Sequence, residues 1–103
     1  MLRKINEDLE LLQEFPLGIT QAYCKKAREA ASKALAAADE PDTLNYVYNL
    51  FDLREKLKHA IDFCSSEPIV YNSIVYYPLE MLEELREYLE NSFSKPQQQE
   101  NNN

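Results

Sequence analysis

The stretch TLNYVYNLFDLREKLKHAIDFCS, residues 43–65, carries the strongest helical pattern in the chain. Apolar and small residues recur along it at alternating spacings of four and three, which is the pattern of a heptad seam. The seam residues are Tyr46, Leu50, Leu53, Leu57, Ala60 and Cys64. Such a seam predicts a helix that packs along one face against other helices, and it therefore indicates a helical bundle.

The N-terminal half of this stretch carries a second apolar stripe, formed by Leu44, Tyr48 and Phe51. A helix that is apolar around much of its girth must be covered on two sides. We expect the segment 69–77 to provide the second cover. The alternative is that the tyrosine-rich segment 69–77 is itself a surface that binds a partner.

Three further stretches, residues 2–15, 17–39 and 78–93, also predict helices. The first is amphipathic and is ended or kinked at Phe15-Pro16, because proline disfavours an α conformation in the residue before it. The second is rich in alanine, which has the best helix propensity and lets a neighbouring helix approach closely. The sequence thus predicts an all-α fold, a four-helix bundle that is mostly antiparallel.

We place a single helical domain over residues 1–93. The sequence that follows, SKPQQQENNN at residues 94–103, is polar throughout. A segment of this composition cannot bury enough apolar surface to offset the entropy of ordering it. We therefore predict a disordered polar tail.

The segment PIVYNSIVYYP, residues 68–78, carries no charge and is crowded with β-branched and tyrosine side chains. Val70, Ile74 and Tyr77 continue a helical stripe into the last helix, so we favour a helix kinked at Pro78. The alternative is a short extended connection or a hairpin that turns at Asn72-Ser73. Serine suits the second position of such a turn poorly, because that position requires a positive φ.

The charge of the chain excludes several classes of partner. Its 18 acidic and 11 basic residues give a formal net charge of −7. This charge repels phosphate backbones and anionic membranes, so we expect no binding to DNA or to a membrane.

No apolar run approaches the ~20 residues that span a bilayer. The first residues do not resemble a signal peptide, and we expect a cytoplasmic protein whose Cys24 and Cys64 are free thiols.

The chain offers no complete set of catalytic or metal-ligating residues. Its only histidine, His59, lies on the outer face of the predicted third helix together with Glu55 and Asp62. We interpret this face as solvated and paired at i,i+4 spacing rather than as a metal site. Packing against apolar faces explains Cys24 and Cys64. We therefore predict no catalytic residues, no metal, no cofactor and no enzymatic activity.

Arg54 and His59 have an Arg-x4-His spacing that is similar to the motif of HEPN-family ribonucleases, which are small all-α domains that often act as dimers. The resemblance covers residues 54–59 and implies that Arg54 and His59 act on an RNA phosphate. In an unbroken helix the two side chains diverge by about 140°. A dimer could still bring Arg54 of one copy to His59 of another, and we keep a ribonuclease as the alternative function.

These observations predict a small non-enzymatic interaction protein, such as an adaptor, an inhibitor or a dedicated chaperone. Its partner would be another protein, and a homodimer is also possible. Tyrosine supplies large contact areas and is enriched in binding hot spots, and a row of glutamates suits a basic partner. The residues that we predict to contact the partner are Tyr48, Phe51, Tyr71, Tyr76, Tyr77, Glu80, Glu83, Glu84 and Glu87.

Overall fold

Four helices and one hairpin follow one another along the chain. The computed structural model describes residues 1–38 and 43–101, with side chains described as far as Phe93. The elements are α1 (Leu2–Leu12), α2 (Ile19–Ala38), α3 (Thr43–Asp62), β1 (Ile69–Tyr71), β2 (Ile74–Tyr76) and α4 (Pro78–Asn101). The four helices pack against one another, and the predicted all-α bundle is confirmed.

Contacts between consecutive helices show that they run antiparallel. The Thr20 hydroxyl, at the start of α2, donates a hydrogen bond to the Ala60 carbonyl near the end of α3, at 3.2 Å. Arg54 in the middle of α3 pairs with Glu90 on α4, and Phe51, one turn earlier on α3, stacks with Phe93, one turn later on α4. Helix α1 packs on α2 and also meets α4, which closes the ring, so α2 and α4 occupy opposite corners of the bundle.

The core is built from the predicted apolar seams. The middle of the α3 seam is fully buried at Leu53, Leu57 and Ala60, whereas Tyr46 and Cys64 at its two ends are half-buried. The other helices contribute the buried residues Leu2, Ile5, Leu9, Leu12, Leu82, Leu85 and Leu89. One continuous cluster therefore joins all four helices, as bundle packing requires.

Small side chains line the face of α2 that packs on its neighbours. The buried residues on this face include Thr20, Cys24, Ala27, Ala31 and Ala34. Their spacing alternates between four and three, so they form one seam along the helix. Small residues in this seam allow the backbone of α3 to come close enough for the Thr20–Ala60 hydrogen bond.

A tight joint connects α1 to α2, where Phe15 is completely buried just before Pro16. The chain then reverses through Gly18, whose φ of 62° lies in the left-handed region that favours glycine. The predicted end of the first helix at this joint is therefore correct to within a few residues. The joint presents the Phe15 ring to the rest of the core.

The segment before α4 is a hairpin, so the favoured prediction of a kinked helix is wrong and the extended alternative is correct. Strands β1 and β2 pair antiparallel, with Tyr71 opposite Ile74 and Val70 opposite Val75. Asn72 and Ser73 form the turn with φ values of 53° and 65°. Serine thus does accept the positive φ of a primed turn here, and Pro78 begins α4 instead of kinking a longer helix.

The backbone of α4 continues as helix to Asn101, beyond the end predicted at residue 93. The domain limits and the disordered polar tail at residues 94–103 stay predictions. The predicted break between the second and third helices falls on residues 39–42, which lie outside the described residues. Among the described helices, none combines the length and apolar character that crossing a membrane requires.

Candidate functional site

The outer face of the N-terminal half of α3 is apolar and lies open. We use the name outer face of α3 for Leu44, Tyr48 and Phe51, which are 85%, 68% and 50% exposed. Their spacing of four and three places them on one stripe, on the opposite side of the helix from Leu50 and Leu53. Residues 43–51 carry no charge, so this stripe is an apolar surface without a charged residue inside it.

We expected the segment 69–77 to cover this stripe, and that expectation is wrong. The hairpin instead packs on Phe15 at the joint between α1 and α2, with the Tyr71 and Tyr76 rings 5.3 and 5.1 Å from the Phe15 ring. Both tyrosines thereby help to bury Phe15, and aromatic rings at such separations attract one another beyond the effect of burial. Within the described part of the chain, the outer face of α3 therefore keeps its high exposure.

An apolar groove of about 310 Å³ adjoins the outer face of α3. Val47 and Phe51 form one wall, and Leu89 and Phe93 of α4 form the other. The Phe51 and Phe93 rings stack with centroids 5.7 Å apart. A groove at the lower end of the size range for small-molecule sites fits one or two apolar side chains of a partner.

A short polar cluster ends the groove. The Arg54 guanidinium lies 5.9 Å from the Phe93 ring centroid and donates two hydrogen bonds to the Glu90 carboxylate, one of 3.1 Å. This fork-shaped pair holds α3 to α4 and positions Phe93 beside Phe51. The Arg54–Glu90 pair therefore bounds the groove at one end, and the outer face of α3 lies along one side of it.

The predicted contact tyrosines of the hairpin separate into two groups. Tyr71 and Tyr76 are half-buried and face the core, and the Tyr71 hydroxyl donates a hydrogen bond to the Glu14 carboxylate at 3.2 Å. The nearby Glu14 charge raises the pKa of Tyr71 above its ordinary value. Tyr77, in contrast, is about half exposed. Their predicted role in partner binding stays a prediction for all three.

The opposite face of the hairpin is exposed, and our reasoning from the sequence did not single it out. Val70 and Val75 lie across from each other on this face and are 71% and 52% exposed. The signal was the two-residue period of a strand, which places Val70 and Val75 on the face opposite Tyr71 and Tyr76. We missed it because we favoured a helix for this segment.

The predicted glutamates of α4 lie together on its solvent face. Glu80, Glu83, Glu84 and Glu87 are all exposed, and none forms an ion pair with the part of the chain that the structure describes. The basic residues of α2 are across the bundle, so they do not neutralise this row. We call these four residues the glutamate row.

Arg54 and His59 contact different helices. Arg54 reaches α4 through Glu90, whereas the His59 ring lies 5.2 Å from the Tyr23 ring of α2. Among the side chains that the structure describes, in residues 1–38 and 43–93, no group of three or more His, Cys, Asp or Glu is placed to hold a metal ion. Of the three i,i+4 pairs expected along α3, only Asp52–Lys56 forms among the described residues, at 2.7 Å. The pairs Glu55–His59 and Lys58–Asp62 do not form.

Both cysteines are free thiols. Cys24 is completely buried, and burial, with a smaller effect of the nearby Cys64, raises the pKa of Cys24 to about 12. Burial also raises the pKa of the half-buried Cys64. A thiol with such a pKa stays protonated at neutral pH and is a poor nucleophile.

Comparisons of the chain with protein-family models, with curated proteins and with solved structures find no match.

Proposed function

We propose that this chain is a small, non-enzymatic interaction module that binds another protein through the outer face of α3. The observation that carries the proposal is the exposure of Leu44, Tyr48 and Phe51 on one helical stripe opposite the core seam. Each Å² of apolar surface that a partner buries contributes about 25 cal/mol of favourable free energy, which the exposed surface lacks in the free chain. A bound partner recovers this free energy, and the adjoining groove offers a place for its anchoring side chains.

A different protein fits this face better than a second copy of the chain. Each copy carries a net charge of −7, and two copies would bring like charges together. Net charge far from zero opposes self-association. Tyrosine and phenylalanine in the centre of an interface are typical of hot spots for protein partners. We also propose a cytoplasmic location, which two free thiols suit.

Affinity capture with two matched triple variants tests the proposal. The first variant replaces the outer face of α3 by Leu44→Gln, Tyr48→Gln and Phe51→Gln. The control makes the same number of changes on the charged, outer side of the same helix by Glu55→Gln, Lys58→Gln and Asp62→Asn. Wild type and both variants capture proteins from lysate of the native cells, with and without ribonuclease treatment.

We expect wild type and control to capture the same stoichiometric protein, with the capture resistant to ribonuclease. The amount of this protein that the outer-face variant captures should fall about tenfold or more, as it does when hot-spot residues are truncated. Circular dichroism should show unchanged helicity. Equal capture by all three chains would overturn the proposal. Recovery of RNA without protein would favour the ribonuclease alternative, and a wild-type dimer that the outer-face variant abolishes would make the second copy the occupant.

A further inference from the structure

The exposed side of the hairpin, formed by Val70, Val75 and Tyr77, is a second apolar surface, which we call the outer face of the hairpin. Val70 and Val75 are partners across the two strands, and Tyr77, directly after β2, is also about half exposed. The other side of the hairpin already packs on Phe15. The outer face of the hairpin therefore has no packing role toward the core.

The strand edges of the hairpin are too short to be the main attraction for a partner. The two residues that flank a two-residue turn, here Tyr71 and Ile74, form a hydrogen-bonded pair. Each strand therefore has one residue, Val70 in β1 and Val75 in β2, whose backbone N–H and C=O groups point away from the other strand. Pro68 precedes β1 and has no amide hydrogen to offer. Recognition at this surface thus depends on side chains rather than on the addition of a strand.

Tyr77 connects the hairpin to the helix that carries the glutamate row. The Met81 amide donates a 3.0 Å hydrogen bond to the Tyr77 carbonyl, which fixes Tyr77 to the first turn of α4. At 100° per residue, the four glutamates fall within an arc of about 100° on one side of α4, and Tyr77 directly precedes this helix. The row extends for about 10 Å from Glu80 to Glu87. Together, the two exposed faces provide a surface that is apolar at one end and acidic along the rest.

We propose that this surface binds a basic segment of a protein partner, with apolar residues at one end and lysines or arginines over the next two turns. Its apolar end would cover Val70, Val75 and Tyr77, and its basic side chains would pair with the glutamate row. The charge complementarity identifies the partner, because four exposed carboxylates repel an acidic segment and attract a basic one. This surface is separate from the outer face of α3 and goes beyond the function proposed for that face, so each proposal stands without the other. Two surfaces on one chain match an adaptor that joins two partners.

Fluorescence anisotropy with a labelled synthetic peptide tests this proposal on the full chain. The peptide carries leucines in its first turn and lysines at i, i+3, i+4 and i+7 positions in the turns that follow. A scrambled peptide of the same composition is the control ligand. The acidic variant is Glu80→Gln, Glu83→Gln, Glu84→Gln and Glu87→Gln. A matched control with the same net charge changes exposed glutamates elsewhere: Glu7→Gln, Glu29→Gln, Glu55→Gln and Glu67→Gln.

The ordered peptide should bind at least about tenfold more weakly to the acidic variant than to wild type at low salt, and less than about twofold more weakly to the matched control. Val70→Thr with Val75→Thr, which keeps β-branched residues in the strands, should weaken binding about fivefold. The outer-face variant of α3 should bind the peptide as wild type does. Equal losses in the acidic variant and the matched control, or equal binding of the scrambled peptide, would overturn the proposal, because attraction by net charge alone would then explain the result.

Discussion

The two halves of α3 share one buried seam but differ on the side that faces away from the core. In the C-terminal half, the outward residues opposite Leu57 include Glu55, Lys58 and Asp62, which are charged and exposed. In the N-terminal half, the outward residues are apolar and equally exposed. A helix whose only role was to fold would carry charged or polar residues on its outward side along its whole length. Folding therefore does not explain why the outward residues of the N-terminal half are apolar.

The largest expected effect separates the inner and outer sides of α3. Leu57→Ala removes a completely buried side chain and should lower the free energy of unfolding by about 2–5 kcal/mol. Leu44→Ala removes the same atoms from an exposed position and should change the free energy of unfolding by less than about 0.5 kcal/mol. Urea unfolding of the two variants measures both values. Similar losses would mean that the outer face of α3 is covered in the free chain.

A second comparison concerns the two adjacent tyrosines at the end of the hairpin. Tyr76→Ala removes a ring that packs on Phe15 and should cost about 1–3 kcal/mol of stability. Tyr77→Ala changes an exposed residue and should cost less than about 0.5 kcal/mol. Thermal unfolding of the single variants distinguishes them. Equal costs would contradict the assignment of Tyr76 to the core side and Tyr77 to the outer face of the hairpin.

The buried Cys24 should make the stability of the chain sensitive to alkaline pH. Its pKa in the folded chain, about 12, lies above the ordinary value of 9.0. Below pH 9 the thiol is protonated in both the folded and the unfolded chain and contributes no pH dependence. Above it, only the unfolded chain loses the proton, so stability should fall by about 1.4 kcal/mol per pH unit until the folded thiol also ionises.

Urea unfolding at a series of pH values from about 8 to 10.5 measures this slope in wild type and in Cys24→Ala. Tyrosines and lysines titrate in both chains, so the difference between the two slopes isolates the contribution of Cys24. The Cys24→Ala variant should show the smaller decline, even though it starts from a lower stability. Parallel curves would contradict the complete burial of this thiol.

The smallest expected effect concerns the hairpin turn. Ser73 holds a φ of 65°, which costs little for glycine but is strained for serine. Ser73→Gly creates the dipeptide that primed turns prefer and should raise the free energy of unfolding by about 0.5–1 kcal/mol. Differential scanning calorimetry would register this as a higher Tm. A lower Tm would indicate that the turn differs from the one described.

The sequence predicts those parts of this fold that depend on local periodicity. Leu53 and Leu57 could be assigned to the core because a 3.6-residue period determines which side of a helix they share. The hairpin was harder to predict, because its segment also fits a helical period. The decision depends on packing of Tyr71 and Tyr76 against Phe15, a residue far earlier in the chain.

The candidate sites show the same limit. The helical spacing of Leu44, Tyr48 and Phe51 predicted an apolar stripe, but only the folded chain shows that the hairpin packs elsewhere and leaves this stripe exposed. The outer face of the hairpin could not be assigned at all while Val70 and Val75 were interpreted as helical. The glutamate row, in contrast, could be predicted as exposed, because carboxylates at helical spacing seldom face a core.

Site-specific photo-crosslinking at Tyr48 tests the central claim most directly. A photoreactive phenylalanine analogue at position 48 samples the apolar half of α3, and the same analogue at position 55 samples the charged half two turns later on the same side. After irradiation in native cells, we predict one discrete protein adduct from position 48, insensitive to ribonuclease, and little or none from position 55. Equal adduct patterns from the two positions would contradict the claim that the outer face of α3 is where this chain binds another protein.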